Sequence, residues 1–600
     1  MVSDGSPLLK CATSSIHIVT NRHIASKPVA DGESQPCALV YAYNDMDEAD
    51  EVMHRYRMRR SLISLGVALA LCTACTGKLD GGTASTPSNP NNPNNPNNPG
   101  TPIPSAVPGD RLMRRVTATE YAQSVQDVLE IAPSGTLPVD VKVAGLSRVG
   151  AGSATINALA VEQYEAVAHD LGPRAFSDSA RARRLSGCTP TGVSDSACAR
   201  TAVTRIGSML FRGPLSEADI TRYTNLALAA AAQVGSFDGG LGLAVSGMLQ
   251  SPRFLNHIEI GEAIEGSATR RRYTGYEMAA RLASFLWDSV PDQALTDAAA
   301  SGALLTDDGL RTEATRMLAD SRARTAVVRI LMEHLDMDGL ESSVGDEGAT
   351  AGVAAAMREE VRRVLEANTF DEDGSLYRDL FTRDTSYVNG PLAAHYGLSS
   401  PTGASFELVT LPANRRGLLS LGAVVASHGH GGRTSPTLRG LFVRQRILCT
   451  DIPLPPPGVP NDLSLAAGPT ARDRLMQHAT EPSCAGCHLA MDPIGLGFEQ
   501  FDVTAAFRTQ ENGADIDPSG TLDGTAFTDA ASLGAVVHDH PALDACLAKQ
   551  LFRAAAGRRE STSEQTTFRS PQVPTTGLSI RDILFYVILS EPFRTFEPQT

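Results

Sequence analysis

Cys484-Ala485-Gly486-Cys487-His488 is the segment of this 600-residue chain whose residue types and spacing most directly imply chemistry. Two thiols three positions apart can each add to one vinyl group of the same porphyrin. The histidine that follows then lies beneath the iron as its proximal ligand. The pentapeptide therefore reads as the attachment signal of one covalent haem c, with Cys484 and Cys487 at the thioether positions and His488 on the metal. Other chemistry uses the same residues. A Cys-x-x-Cys pair is half of a structural zinc site, yet the other such spacing in the chain, Cys72 to Cys75, falls in an N-terminal apolar segment far from this one, and no nearby pair completes the set. It is also the form of a thioredoxin-like redox pair or a plain disulfide. The redox pair needs a strand–turn–helix setting, whereas Ala471 to Thr480 reads as a polar helix.

A six-coordinate iron needs a second axial ligand. Met491 follows His488 by one helical turn, which puts it on the same side of the porphyrin plane, and it reads as core packing. No methionine follows it. The candidates are His478, His428 and His430, with Met476, His538 and His540 behind them. The segment His428-Gly429-His430-Gly431-Gly432 is a bare loop that allows close approach of backbone to a ligand. A histidine would lower the potential relative to methionine, and an open position would admit peroxide or another small ligand. Arg433 and Arg439 flank Thr-Ser-Pro-Thr. Their guanidinium forks suit haem propionates and equally a surface ion pair. Asp492, Glu499 and Asp502 lack the dense oxygen pattern of a calcium loop. They read as a turn at Asp492-Pro493 and solvated charge.

The elements that must position these residues begin well into the chain. Met58-Arg59-Arg60, an apolar run from Leu62 to Leu71 and Thr73-Ala74-Cys75 have the pattern of a signal peptide. The apolar run is too short to span a bilayer, which takes about 20 residues. Cys75 resembles a lipobox cysteine, expected to be lipidated and to become the mature N-terminus. Cys72 stands where leucine is usual, so ordinary cleavage is the alternative. The reading places the start at Met58 and treats residues 1–57 as upstream of the gene product. The Asn/Pro repeat that follows cannot bury a core and acts as an extended spacer. The organisation expected is then a signal segment at 58–75, a disordered linker at 76–109 and helical modules at 110–185, 186–265 and 270–400. The haem-motif module covers 405–510 and a C-terminal helical module 511–600.

The fold class is mainly α. Thr117 to Glu120 and Thr274 to Glu277 are capping boxes, and Ser216 opens a further helix. The apolar faces expected are Tyr121, Val125, Val128 and Leu129; Ile220, Tyr223 and Leu226; and Met278, Leu282, Phe285 and Leu286, this last helix ending before Pro291. A fourth helix over Met357 to Leu365 carries Glu359, Glu360, Arg362 and Arg363 on its wet side. Ser405 to Leu411 is the best strand. The net charge of −15 argues against nucleic acid as a partner. Outside the haem motif and the N-terminal segment, Cys188, Cys198, Cys449 and Cys546 remain, an even number in an oxidising compartment. Cys188 and Cys198 flank a short loop and pair naturally with each other. Cys449 and Cys546 would then pair across the haem segment, or stay as buried thiols.

Several stretches together resemble the planctomycete-type cytochrome c family, exported multidomain proteins built from serial domains of unknown function. Arg115 to Tyr121 resembles the opening of that family's first module, and Leu249 to Leu255 the close of its second. Arg281 to Trp287 with Pro291-Asp292 resembles the signature helix of the third. Arg433 to Gly440, Cys484 to His488, Met491 to Gly495 and Phe498 to Asp502 resemble the haem-motif module. Asp517 to Gly520 and Gly557 to Arg559 resemble the last. The resemblance implies a helical architecture and haem, but no defined reaction. Larger relatives carry a second haem motif; the single one here implies no haem-to-haem transfer within the chain.

The function expected is an exported, lipid-anchored monohaem protein of the cell envelope, periplasmic or surface-exposed, or otherwise secreted. It would meet the membrane only through its N-terminal lipid and exchange electrons with an unknown partner, or run peroxidase-like chemistry. The competing reading is a cell-surface binding or scaffold protein, for example for polysaccharide. Its weakness is the single tryptophan, Trp287, on an expected core helix. No nucleophile elbow or His-Glu-x-x-His supports a hydrolase.

Overall fold

The computed structural model describes residues 113–345, 350–430, 432–453, 468–480, 482–569, 572–574 and 577–597, without the side chains of residues 430, 477–479, 482 and 483. The signal segment, the Asn/Pro linker and Cys75 lie outside the described residues. What is described is mainly α-helical, with strands of two to four residues. No helix among the described residues is long and apolar enough to cross a membrane.

A short strand, β1 (Arg114–Arg115), leads into α1 (Ala118–Leu129). Thr117 accepts from the Glu120 N–H while the Glu120 carboxylate takes the Thr117 N–H, so the expected capping box is formed. Then come α2 (Ser147–Ser153), α3 (Ala158–Ala175), α4 (Ser196–Leu210), α5 (Glu217–Val234) and α6 (Phe237–Leu249). Ser216 caps α5, as its spacing predicts. Leu226 does not face inward as expected; it is 42 % exposed. The buried stripe of α5 runs instead through Ile220, Tyr223, Ala227, Ala230 and Ala231. Those alanines let α6 approach so closely that a Cβ at Gly240 would collide with the Ala227 carbonyl. β2 (Asn256–His257) pairs antiparallel with β1, and one apolar core joins α1 to α3, α4, α5 and α6.

β3 (Arg271–Arg272) precedes α7 (Gly275–Trp287), which carries the second capping box and buries Met278, Leu282, Phe285 and Leu286. Trp287 is buried and donates to the Met317 carbonyl at 3.0 Å. α8 (Ser321–His334) and α9 (Val353–Glu366) follow, then β4 (Thr385–Val388), α10 (Gly390–His395) and β5 (Glu407–Thr410). β4 and β5 pair antiparallel, β5 within the expected Ser405 to Leu411. Glu360 is a correction: it is fully buried rather than wet. One turn from Met357 and beside Val361 and Val364, it falls on the apolar face of α9 by helical geometry. There it accepts from the Ser386 and Tyr396 hydroxyls at 2.7 and 2.6 Å.

β6 (Gly429–His430) and β7 (Arg433–Thr434) form a tight hairpin before α11 (Pro436–Phe442), α12 (Ala471–Ala479) and α13 (Pro482–Gly495). The chain closes with α14 (Ala530–His538), α15 (Leu543–Ala556), α16 (Ile580–Leu589) and β8 (Thr595–Phe596), which returns to pair with β3. A second, larger core spans Leu146 to Phe596 and draws on α2, on α7 to α11 and on α13 to α16.

Both disulfides form, Cys188 to Cys198 at the start of α4 and Cys449 to Cys546 between the end of the α11 segment and α15. A buried ionic cluster ties α1 to α7. Glu120 meets Arg114 at 2.6 Å and the Ser284 hydroxyl at 2.5 Å, and Arg148 bridges Asp288 at 2.5 Å.

Candidate functional site

The motif cysteines lie on α13, and the polar helix expected ahead of them is α12. α12 rests on a small core of its own, Ala471, Leu475 and Leu496. Arg474 and the Ala471 N–H both hold Glu511, at 2.7 Å each. α13 is fixed from the other side by α11. Gly440 lies against the Met491 carbonyl and Gly495 against that of Pro436, each too close for a side chain. Two glycines at these crossing points are what let α11 and α13 pack backbone to backbone.

On that helix Cys484, Cys487 and His488 share one face, three and four residues apart. Neither Cys484 nor Cys487 is in a disulfide, and both are partly exposed. Between them Gly486 opens onto free space. His488 Nδ1 lies 2.8 Å from Asp492 Oδ2, one turn further along. The other oxygen of Asp492 accepts from the Thr437 hydroxyl at 2.8 Å. The hydrogen bond to Asp492 raises the proton affinity of the His488 imidazole above its ordinary value, against the partial burial that lowers it. Arg444 steadies the far end of α13, donating to the Ala490 carbonyl at 3.0 Å and to Asp523 at 2.7 Å.

The expected turn and solvated carboxylates are corrected. Asp492-Pro493 continues α13 rather than turning, and Asp492 and Glu499 are buried. Asp502 accepts the N–H groups of Thr504 and Ala506 and shapes the loop after α13. Glu499 belongs to Arg439, at 3.0 Å, with Arg508 at 3.2 Å. Arg439 is 2 % exposed, so it makes no surface ion pair. It donates to the carbonyls of Val425, Phe498, Phe501 and Asp502 as well as to Glu499. These contacts direct its guanidinium into the core. Arg433 lies exposed on β7.

Of the candidate sixth ligands whose side chains are described, the histidines at 428, 538 and 540 are each engaged by other groups. His428 is packed against Phe442, ring centroids 4.1 Å apart, with Nδ1 on the Val424 carbonyl at 2.8 Å. Its partners Phe442 and Arg439 lie on a different side of α11 from Gly440, the position that touches α13. Burial pushes its proton affinity down to about 4. His540 spends Nε2 on Asp523 at 3.1 Å and Nδ1 on the Ala542 N–H at 3.1 Å. His538 is held by Asp539 at 2.6 Å. His430 lies on β6 and His478 on α12, and their side chains are outside the described residues. Met491 is buried; Met476 and Leu489 are each 62 % exposed. Among the described residues, no group of three or more His, Cys, Asp or Glu is arranged to hold a metal ion.

Thr437 and Asp492 were not legible as parts of a site. The one usable signal was His-x-x-x-Asp, which puts the two side chains on one helix face. Thr437 is 55 residues away and had none.

Four family models match the chain in series. PSD3, a protein of unknown function (DUF1587), matches residues 114–177. PSD5, a protein of unknown function (DUF1595), matches 198–259, and PSD4, a protein of unknown function (DUF1592), matches 273–398. PSCyt3, a protein of unknown function (DUF1588), matches 415–511, the segment that holds Cys484, Cys487, His488, Asp492 and Thr437. The chain thus carries four planctomycete-type domains in series, matching the multidomain cytochrome c family. No curated protein and no solved structure matches it.

Proposed function

We propose that this chain is an exported, lipid-anchored c-type cytochrome-like protein with one covalent haem, acting in electron transfer or peroxidase-like redox chemistry. One observation carries the reading. Four cysteines are committed to disulfides, while Cys484 and Cys487 keep thiols on the same helix face as a carboxylate-anchored histidine. The name PSCyt3 for the matched domain points the same way.

The residues fit the group. Cys484 and Cys487 would hold the porphyrin through its vinyl carbons. His488, anchored through Nδ1, would hold the iron through Nε2. Open space at Gly486 and the exposed apolar side chains of Leu489 and Met476 suit one edge of an apolar macrocycle. Arg433, exposed on β7, is the arginine left for a propionate, since Arg439 is committed to the core. When bound, the haem supplies one-electron exchange at its iron. Cys75 would carry the lipid, and residues 76–109 would hold the folded body off the membrane. The scaffold reading has little support: Trp287 is 1 % exposed and presents no face to a sugar.

The test is production in a host with haem-attachment machinery. The expected product shows a Soret band and the added mass of one haem that survives denaturation, both lost in the Cys484→Ser/Cys487→Ser double variant. Wild-type protein with neither, or with Cys484 joined to Cys487, ends the reading.

A further inference from the structure

We infer that Asp492, braced by Thr437, is the positioning residue that makes His488 a strongly donating ligand and so holds the bound iron at low potential. The inference rests on the haem reading above.

Three features carry it. The first is the geometry: Asp492 Oδ2 takes the Nδ1 side of His488 at 2.8 Å, and Thr437 donates to Oδ1 at 2.8 Å. Both carboxylate oxygens are therefore fixed, one on the imidazole and one on a neighbouring helix. The second is the contrast with Glu499. That buried carboxylate is neutralised by Arg439 and Arg508. Asp492, also buried, has no arginine or lysine within ion-pair distance among the described residues, where its ion-pair partner is His488. Its carboxylate is thus shared between the imidazole and a neutral hydroxyl, with no arginine to offset it among the described residues. The third is rigidity. Gly440 and Gly495 lock α11 against α13, so Thr437, which lies between the two contact points, is held opposite Asp492.

The chemical consequence follows from charge. A carboxylate on the Nδ1–H side draws that proton toward itself and leaves more electron density on Nε2. The proton stays shared between Nδ1 and Oδ2, and no group changes its protonation state. A more basic imidazole favours the ferric over the ferrous ion. A backbone carbonyl in the same place would do this less, because it carries only a partial charge. Of the two redox roles proposed, the arrangement favours one that uses an electron-rich iron over one that needs a high-potential electron acceptor.

The experiment is a mediated redox titration of the haem-loaded full chain at one pH. Asp492→Asn keeps an oxygen acceptor and removes the charge; its midpoint potential should shift positive. Thr437→Val should shift it in the same direction by less, and Thr437→Ser should restore the wild-type value. Unchanged Trp287 emission in each variant establishes that the fold is intact. If Asp492→Asn does not fold, the Thr437 pair decides. A haem-bearing wild type whose variants titrate at the same potential overturns this inference alone. A wild type without covalent haem overturns the haem reading, and this one with it.

Discussion

The Tyr396 hydroxyl donates to Glu360 at 2.6 Å in a place that water does not reach, where β4, α9 and α10 meet. Arg415 stacks on the same tyrosine, 3.9 Å from the ring centre. Burial is the largest influence on the carboxyl group. It raises the Glu360 pKa from the ordinary 4.5 to about 7, although Tyr396, Ser386 and Arg415 all favour the ionised form. The folded protein therefore keeps this proton at pH values where the unfolded chain has lost it. Its contribution is most favourable below pH 4.5 and is lost as the pH rises to about 7. The difference corresponds to about 3 kcal/mol. Glu360→Gln should match wild type in urea unfolding at pH 4.5 and exceed it at pH 8. Equal differences at both values would refute the assignment.

His428 should act on the other side of the scale. Its folded pKa of about 4 lies below the ordinary 6.5, chiefly through burial. Between those values the unfolded chain takes up a proton that the folded protein refuses, so stability falls as the pH drops. The loss reaches on the order of 3 kcal/mol. His428→Gln should flatten the stability–pH curve by one proton in this window, measured as the difference from wild type so that other titrating groups cancel.

The two disulfides should differ in value. Cys449 and Cys546 are 97 residues apart, Cys188 and Cys198 only 10. On the chain-entropy model the long closure contributes roughly 4–5 kcal/mol and the short one roughly 3 kcal/mol. Replacing each pair by serine and following unfolding by Trp287 emission should show the larger loss for Cys449/Cys546.

Glu120 is the keystone of the ionic cluster between α1 and α7. It is fully buried against Arg114 at 2.6 Å and Arg148 at 3.7 Å. Glu120→Ala leaves Arg114 buried without a counter-charge, while Arg148 keeps Asp288, and should cost about 3–5 kcal/mol. Denaturant titration checks it. A loss below about 1 kcal/mol would mean that water compensates Arg114.

Local chemistry was the part of this molecule that could be read in advance. The caps at Thr117, Ser216 and Thr274 formed as written, because a cap needs only residues within one turn. The buried faces led by Tyr121 and Met278 followed from period. Errors came where burial is decided by a distant neighbour. Leu226 is turned out because Ala227 and Ala231 offer a closer approach to α6, and Glu360 is turned in because Ser386 and Tyr396 wait for it. At the candidate site the pentapeptide itself was plain. Its support was not, because Asp492 is answered by Thr437 and Glu499 by Arg439, pairs separated by 55 and 60 residues. The wider ion cluster around Glu120 was unreadable for the same reason. It joins Arg114 to Ser284 across 170 residues.

Four matched segments share only two large cores. Those at 114–177 and 198–259 are sewn together by one, and those at 273–398 and 415–511 merge with the C-terminal helices in the other. The pieces that kinship marks out are therefore not the pieces that stand alone in water. Excising 415–511 to study the cysteine motif in isolation would strip Phe442, Ile494 and Phe498 of the far half of their packing, and would sever Cys449 from Cys546. A fragment for that motif has to run from β3 to β8, so that β8 keeps its partner strand, and even this gives up Leu146, Val149 and the salt links to the first helix.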